Sequence, residues 1–197
     1  GPFNFSKINN YAVSKLDKNY THYLFCNNDI EAIESGWLEE MLGLCSHKDI
    51  GIVGANLLYP DINLYQHAGV CVGMHGCAEH YGKYSHRYKN NNVDLNPGYN
   101  DYLISNREVS AVTAACLLIK SDIFNLVKGF DESFHVGFGD VDLCLRVRQR
   151  NYSIIQCARS TLYHYESYSR KKTFSGDPHI KDTQLFLRRW KTVIRSS

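Results

Sequence analysis

No stretch of this chain is apolar for long enough to cross a bilayer. The longest such run, Ala114–Ile119, falls far short of the roughly 20 residues that a spanning helix needs. No signal-like segment opens the chain. The seven cysteines are an odd number and form no CxxC pair, so neither a common zinc pattern nor a full disulfide framework is expected. Buried, reduced thiols in a cytosolic protein fit better. Charge of one sign is also missing. The net charge is +2, and basic residues are scattered except at Arg170–Lys172 and Arg188–Lys191, which excludes a nucleic-acid footprint. There is no G-x-S-x-G elbow, no P-loop and no internal repeat.

What remains is an ordinary globular composition, 44% hydrophobic and 21% charged, in 197 residues. That length suits one domain with a substantial core. Gly1-Pro2 reads as a cloning scar. The chain is organised around Tyr23-Leu24-Phe25-Cys26, an apolar run too brief for a helix, which stops at Asn27-Asn28-Asp29. In open α/β sheets, ligands bind beyond the carboxyl ends of the strands. A carboxylate flanked by amides there can seat a hard divalent cation and leave positions for substrate phosphates. Taken alone, the stretch is more simply read as a strand ending in an Asx-type turn.

Around this strand the pattern predicts further elements. Ile8, Tyr11, Ala12 and Leu16 have the spacing of a short amphipathic helix with Ser6 near its cap, and Ser35-Gly36 opens another that carries Trp37, Leu38 and Met41. Ile50–Ala55 reads as a strand buried on both faces, followed by a turn at Tyr59-Pro60-Asp61 and extended chain over Leu64–Met74. Periodicity vanishes over residues 75–108, which are rich in Gly, Tyr, Asn and His and punctuated by Asn90-Asn91-Asn92. Such a long loop in a compact domain is a candidate binding loop, its aromatics suited to sugar rings or simply exposed. Val109–Ile119 reads as a strand, Ser121 as the cap of a helix ending at Gly129, and Gly137–Arg146 as a helix start that Asn151 closes. Tyr152–Cys157 is a strand. The last amphipathic helix, over residues 179–195, packs back on the domain or, through its basic face, lies on a membrane surface.

Three places bear chemistry. Asp140 and Asp142 share the first turn of their helix, where carboxylates suit the dipole. Residues two apart point to different faces, so one can cap while the other acts as a base. His164 ends a strand-like segment and is an imidazole ligand or a structural histidine. Cys71, His75 and Cys77, with His80 nearby, match no common zinc spacing.

The order and spacing of several short motifs add to this. They are Phe3–Asn10, Leu24–Asp29, Trp37–Met41, Val53–Pro60, Gln66–Val70, Val112–Leu117, Gly129–Glu132, Asp140–Arg146 and Leu162–Ser167. Together they resemble the family 2 glycosyltransferases over nearly the whole chain. The resemblance implies an α/β fold of the GT-A type, a mixed sheet flanked by helices, and inverting transfer of a sugar from a nucleotide-sugar donor to a glycan, lipid or protein acceptor. It implies that Asp29, in the place of the DXD motif, holds Mg or Mn, with His164 as a second ligand and Asp140 as the general base. Gly139 stands where the family has Glu. Asn27, Asn28, Trp37, His67, Thr113, Ala114 and Asp142 would shape the donor and acceptor sites. It further implies that residues 3–197 lack the first nucleotide-binding β-α-β half. The Tyr23–Cys26 strand would then show a bare edge, and the isolated chain would self-associate and lack measurable transfer. A cytoplasmic location, peripheral to the inner face of the membrane, is expected. The alternatives are a non-catalytic glycan- or partner-binding module and a metal-dependent nucleotide-sugar hydrolase.

Overall fold

The computed structural model describes residues 2–17, 19–60, 62–89, 94–165 and 179–196. Asp61 of the expected turn, the Asn90–Asn92 run, Glu166, Ser167 and the Arg170–Lys172 stretch lie outside the described residues. The first half of the chain forms α1 (Phe5–Ser14), β1 (His22–Cys26), β2 (Ile30–Ala32), α2 (Trp37–Cys45), β3 (Ile50–Tyr59), β4 (Leu64–His67), β5 (Val70–Val72), β6 (Ala78–His80), β7 (Tyr88–Lys89) and β8 (Asp94–Leu95). The second half forms β9 (Arg107–Glu108), β10 (Cys116–Lys120), α3 (Ser121–Leu126), α4 (Gly139–Arg148), β11 (Ser153–His164), α5 (Ile180–Arg189) and α6 (Lys191–Ser196).

The main sheet is mixed and follows the order β1-β10-β3-β11-β2, with β4 also on β3 and β9 also on β11. Only β3 and β11 run parallel within it. β3 is buried from Gly51 to Leu58, as its unbroken apolar run requires. Successive side chains leave opposite faces of the sheet, so each face has its own core. Ile52, Leu117, Ile119 and Ile154 pack with Ile123 of α3, Leu143 of α4 and Phe186 of α5. Val53, Ala55, Cys116 and Leu118 meet Met41 and Cys45 of α2. Each fully buried aliphatic or aromatic side chain contributes roughly 1.5–3 kcal/mol. Gly54 is needed where it stands, because a Cβ there would lie 2.5 Å from Val112 Cβ.

The first helix differs from its sequence reading. Its cap is Asn4, whose Oδ1 accepts from Lys7 N at 2.8 Å, and Ser6 is a buried residue inside the helix. Ile8 and Tyr11 face outward, 53% and 65% exposed. The inward face sets Phe5 and Val13 against the core and is otherwise polar, docking by hydrogen bonds. Asn10 binds both backbone groups of Phe130, accepting from its N–H at 2.9 Å and donating to its carbonyl at 2.8 Å. Phe5 N–H donates to His135 O at 2.6 Å, and Asn4 Nδ2 donates to Glu132 O at 2.8 Å. Gly139 completes the contact, since a Cβ on it would meet Ser6 Oγ at 2.9 Å. The absence of a side chain at 139 therefore lets α1 close on α4.

Other boundaries also move. Only residues 116–120 of the expected Val109–Ile119 strand join the sheet as β10. The chain before it spends its amides on side chains, Thr113 N–H on His67 and Ala114 N–H on Asp140. Residues 75–108 are not structureless but carry β6, β7, β8 and two short 3-10 turns. Ser121 is the first residue of α3, not its cap. Asn151, at φ 63°, does end the α4 turn in the left-handed conformation. The terminal helix is two pieces meeting at Trp190, and its Phe186 and Trp190 are buried in the domain core. Among the described residues, β1 is hydrogen bonded to β10 alone, and no helix is long and apolar enough to cross a membrane.

Asp142 is a correction to the sequence reading. Its side chain is fully buried and accepts from Arg146 Nε at 2.7 Å, Arg189 Nη1 at 2.9 Å and Trp190 Nε1 at 3.0 Å. It ties α4 to the end of α5 and has no face for a ligand. Removing one partner of such a pair leaves the other charges uncompensated. Asp142→Ala should therefore lower unfolding stability by about 3 kcal/mol, read from urea denaturation. A loss under about 1 kcal/mol, the range of exposed ion pairs, would contradict this account.

Candidate active site

The residues placed together by the fold come from four segments. The turn after β1, the irregular chain before β10, the start of α4 and the end of β11 line one cavity of about 310 Å3. Asn27, Asn28, Asp29, Thr113, Ala114, Asp140 and His164 lie on its walls, joined by Phe3, Phe5, Ala115 and Val136. A second cavity of about 380 Å3 shares Val136 and Asp140 and continues past Glu79, His80 and Phe138. Asp140 thus stands on the wall common to both.

Strand register sets the first pair. Ile30 of β2 lies opposite His164 of β11, and Tyr165 N–H donates to Asp29 O at 3.0 Å. Asp29 is held beside the imidazole as a result. His164 Nδ1 lies 2.6 Å from Gln66 Oε1 on β4. An amide oxygen only accepts, so Nδ1 carries a proton, and in a neutral ring Nε2 keeps its lone pair. Asn27 Nδ2 donates to that nitrogen at 3.2 Å. Asp29 Oδ1 approaches the same nitrogen at 3.2 Å, which is an ion pair only for a doubly protonated ring. With a neutral ring two lone pairs face each other, and Asp29 Oδ1 is buried without a donor.

A carboxylate oxygen and an imidazole nitrogen converging in this way suit a divalent cation. With only these two side chains, most coordination positions stay open for water or phosphate oxygens. Among the described residues, no group of three or more His, Cys, Asp or Glu side chains could hold a metal, the Cys71–Cys77 region included.

Asp140 is held by backbone donors. Its Oδ2 accepts from Ala114 N–H at 3.0 Å and its Oδ1 from Val141 N–H at 2.8 Å. The approach to α4 is fixed from behind by Asp182 of α5. That carboxylate accepts from three successive amides, His135 at 3.2 Å, Val136 at 2.8 Å and Gly137 at 2.9 Å. Phe138, at φ 61°, then turns the chain into the helix. Sequence reasoning missed Asp182, since an acidic residue near a helix start carries no sign of its partners. It also passed over Gln66, although it singled out the Gln-His-Ala-Gly stretch.

His67 lies beneath the site and not in it. It is fully buried, with Nε2 3.3 Å from Gly69 N–H and 3.4 Å from Thr113 N–H. Accepting there leaves its proton on Nδ1, 2.7 Å from His80 Nδ1. Burial, and then the neighbouring His80 and Arg107, push its pKa well below the ordinary 6.5. Trp37, expected near the acceptor, opens α2 and packs against the Met41 core on the sheet's other face. It does not line the Asp140 cavity.

No family model matches the chain. It is 39% identical over 196 residues to an "Uncharacterized protein y4gI" of Sinorhizobium fredii, covering 97% of this chain and 20% of that protein. It is 35% identical over 170 residues to the O-antigen biosynthesis protein RfbC of Myxococcus xanthus, covering 86% of this chain and 13% of that protein. The chain thus spans a fifth or less of the length of these curated relatives. Among solved structures it is similar to GalNAc-T7 with UDP, GalNAc and Mn2+, at TM-score 0.66 and 11% identity over 98% of this chain and 36% of that one. It is also similar to the catalytic domain of Drosophila β1,4-galactosyltransferase 7 in complex with xylobiose, at TM-score 0.52 and 12% identity over 93% of this chain and 61% of that one. The fold is that of the GT-A glycosyltransferases.

The buried neutral His67 gives a pH dependence with a definite sign. The unfolded chain takes up a proton as pH falls through about 6.5, whereas the folded chain resists it, so stability is lost below that value. One group contributes at most about 1.4 kcal/mol per pH unit. His67→Gln should flatten the fall in urea midpoint between about pH 6.5 and 5 relative to the unmutated chain. Parallel pH profiles for the two would show that His67 is not held neutral.

Proposed function

We propose that this chain carries the metal and base residues of an inverting glycosyltransferase, which moves a sugar from a nucleotide-sugar donor to a glycan, lipid or protein acceptor. One observation carries the reading. Asp29 Oδ1, buried without a donor, and the His164 Nε2 lone pair converge in the cavity that also holds the Asp140 carboxylate. The neighbour solved with UDP and Mn2+ supports a divalent cation at a fold of this kind.

Bound there, Mg or Mn would neutralise charge on the departing diphosphate without proton transfer. The chain's own residues do the rest. His164, with its tautomer fixed by Gln66, and Asp29 supply the donors for the cation. Asn27 and Asn28, on the same wall, are placed to bind the donor's polar edges. Asp140, held by two backbone N–H groups, keeps lone pairs for an acceptor hydroxyl and takes its proton as that oxygen attacks. With Asp29 committed to the cation, Asp140 is left as the one base, which suits single displacement with inversion. A retaining hydrolase would need paired carboxyl groups about 5–5.5 Å apart. The relative named for O-antigen biosynthesis supports a polysaccharide-building setting.

The two carboxylates should separate experimentally in assays with labelled nucleotide sugars and Mn2+, run on an active protein that contains this chain. Asp140→Asn should cut turnover by about 10²–10⁴-fold while Mn2+-dependent donor binding stays within a few-fold. Asp29→Ala should abolish the Mn2+-dependent part of donor binding and leave the metal-independent part. Turnover of Asp140→Asn within a few-fold of the unmutated chain would remove Asp140 from the role of base. Donor binding by Asp29→Ala that still rose with Mn2+ would place the cation elsewhere.

A further inference from the structure

We propose that the cavity between residues 69–71 and 107–110, apart from the Asp140 cavity, binds an anionic saccharide through its carboxylate or phosphate group. This cavity measures about 440 Å3, and Tyr81, Tyr102, Arg107, Ser110 and Arg148 line it. The proposal does not rest on Asp140 being a base or on a metal at Asp29.

The central observation is a cation without an anion. Arg107 lies between two tyrosine rings, its guanidinium carbon 4.9 Å from the centre of Tyr81 and 4.8 Å from that of Tyr102. Its Nη2 donates to Ala68 O at 2.5 Å, while Nη1 is buried with no acceptor. Among the described residues no carboxylate lies within ion-pair distance of it. The adjacent Glu108 does not serve, because Arg148 Nη1 engages it at 3.0 Å. Partial burial of the half-exposed Arg107 pulls its pKa below the ordinary value. Charges taken from water are normally paired, and the ring faces compensate only in part.

The arrangement is held in place by close packing. Gly82 follows Tyr81 and Leu103 follows Tyr102, and a Cβ on Gly82 would lie 2.7 Å from Leu103 Cδ2. Gly98 meets the same side chain, its Cβ position 2.8 Å from Leu103 Cγ. Buried Leu103 therefore packs against the glycine that follows Tyr81, and Tyr81 packs on the same cluster. The planar fork of arginine matches a carboxylate or phosphate with two parallel hydrogen bonds. Tyrosines offer an apolar face and a hydroxyl together, which suits a sugar ring carrying such a group.

The test is an NMR titration of the chain with sodium glucuronate, glucose 1-phosphate, inorganic phosphate and glucose at low ionic strength. Glucuronate or glucose 1-phosphate should shift the amides of residues 69–71 and 107–110, with glucose at least about tenfold weaker. Binding of inorganic phosphate and glucose 1-phosphate, but not glucuronate, would assign the source as phosphate. The reverse would assign it as a sugar acid. Arg107→Gln should weaken the preferred ligand at least about tenfold, and Arg107→Lys should restore it only in part. Should Arg107→Gln fail to fold, Arg148→Gln decides, since it frees the Glu108 carboxylate to repel the ligand and should also weaken binding. Equal affinity for glucose and its charged analogues, or unchanged affinity in a folded Arg107→Gln or Arg148→Gln chain, would overturn the proposal.

Discussion

The hydrogen bond between His164 Nδ1 and Gln66 Oε1 decides what the site can do. In a neutral imidazole it spends the one proton away from the cavity, and the nitrogen facing Asp29 is then an acceptor. Without Gln66 the ring could turn its N–H toward Asp29 and form an ordinary hydrogen-bonded pair. With it, a carboxylate oxygen and an imidazole lone pair stand 3.2 Å apart, the nitrogen accepting from Asn27 Nδ2 and the carboxylate oxygen from no donor. That local frustration is stable only because the strand pairing of β2, β4, β3 and β11 fixes all three side chains from rigid elements. A buried carboxylate oxygen left without a donor is the feature of this site that calls for an explanation.

Asp140 is positioned by a different device. The helix that carries it is approached through residues 130–137, which have little regular structure of their own. They are pinned by side chains that imitate backbone, Asn10 on Phe130 and Asp182 on three consecutive amides. Helices α1 and α5 thus act as clamps on the loop, and the polar inner face of α1 follows from that task. Gly139 belongs to the same arrangement, since any side chain there would push Ser6 and the helix away. The buried Asp142 network locks the other end of the clamp through Arg189 and Trp190.

Much of the sheet could be read from the sequence because its strands obey simple rules. The apolar run Ile50–Ala55 of β3 and the apolar stop at Asn27 follow from burial on one or two faces. The polar residues were harder. Asp140 and Asp142 look alike in sequence, two carboxylates in one helical turn, yet one faces a cavity and the other is fully buried against two arginines. Their fates depend on Arg189, 47 residues away from Asp142, which no local pattern reveals. Helix α1 misled for the related reason that its buried face is hydrogen bonded through Asn10 as well as packed through Phe5 and Val13, while Ile8 and Tyr11 face outward. His67 stood out in the sequence, but its place below Thr113 makes it a support for the site's backbone.

The account stands on a cation joining Asp29 and His164 within reach of Asp140. Anomalous diffraction from crystals of the chain soaked with Mn2+ and uridine diphosphate tests it most directly. A manganese peak bonded to Asp29 Oδ1 and His164 Nε2, with His164 Nδ1 still on Gln66, is the result the account predicts. A peak bound elsewhere, or an Asp29–His164 pair left unbridged while nucleotide occupies the cavity, would contradict it.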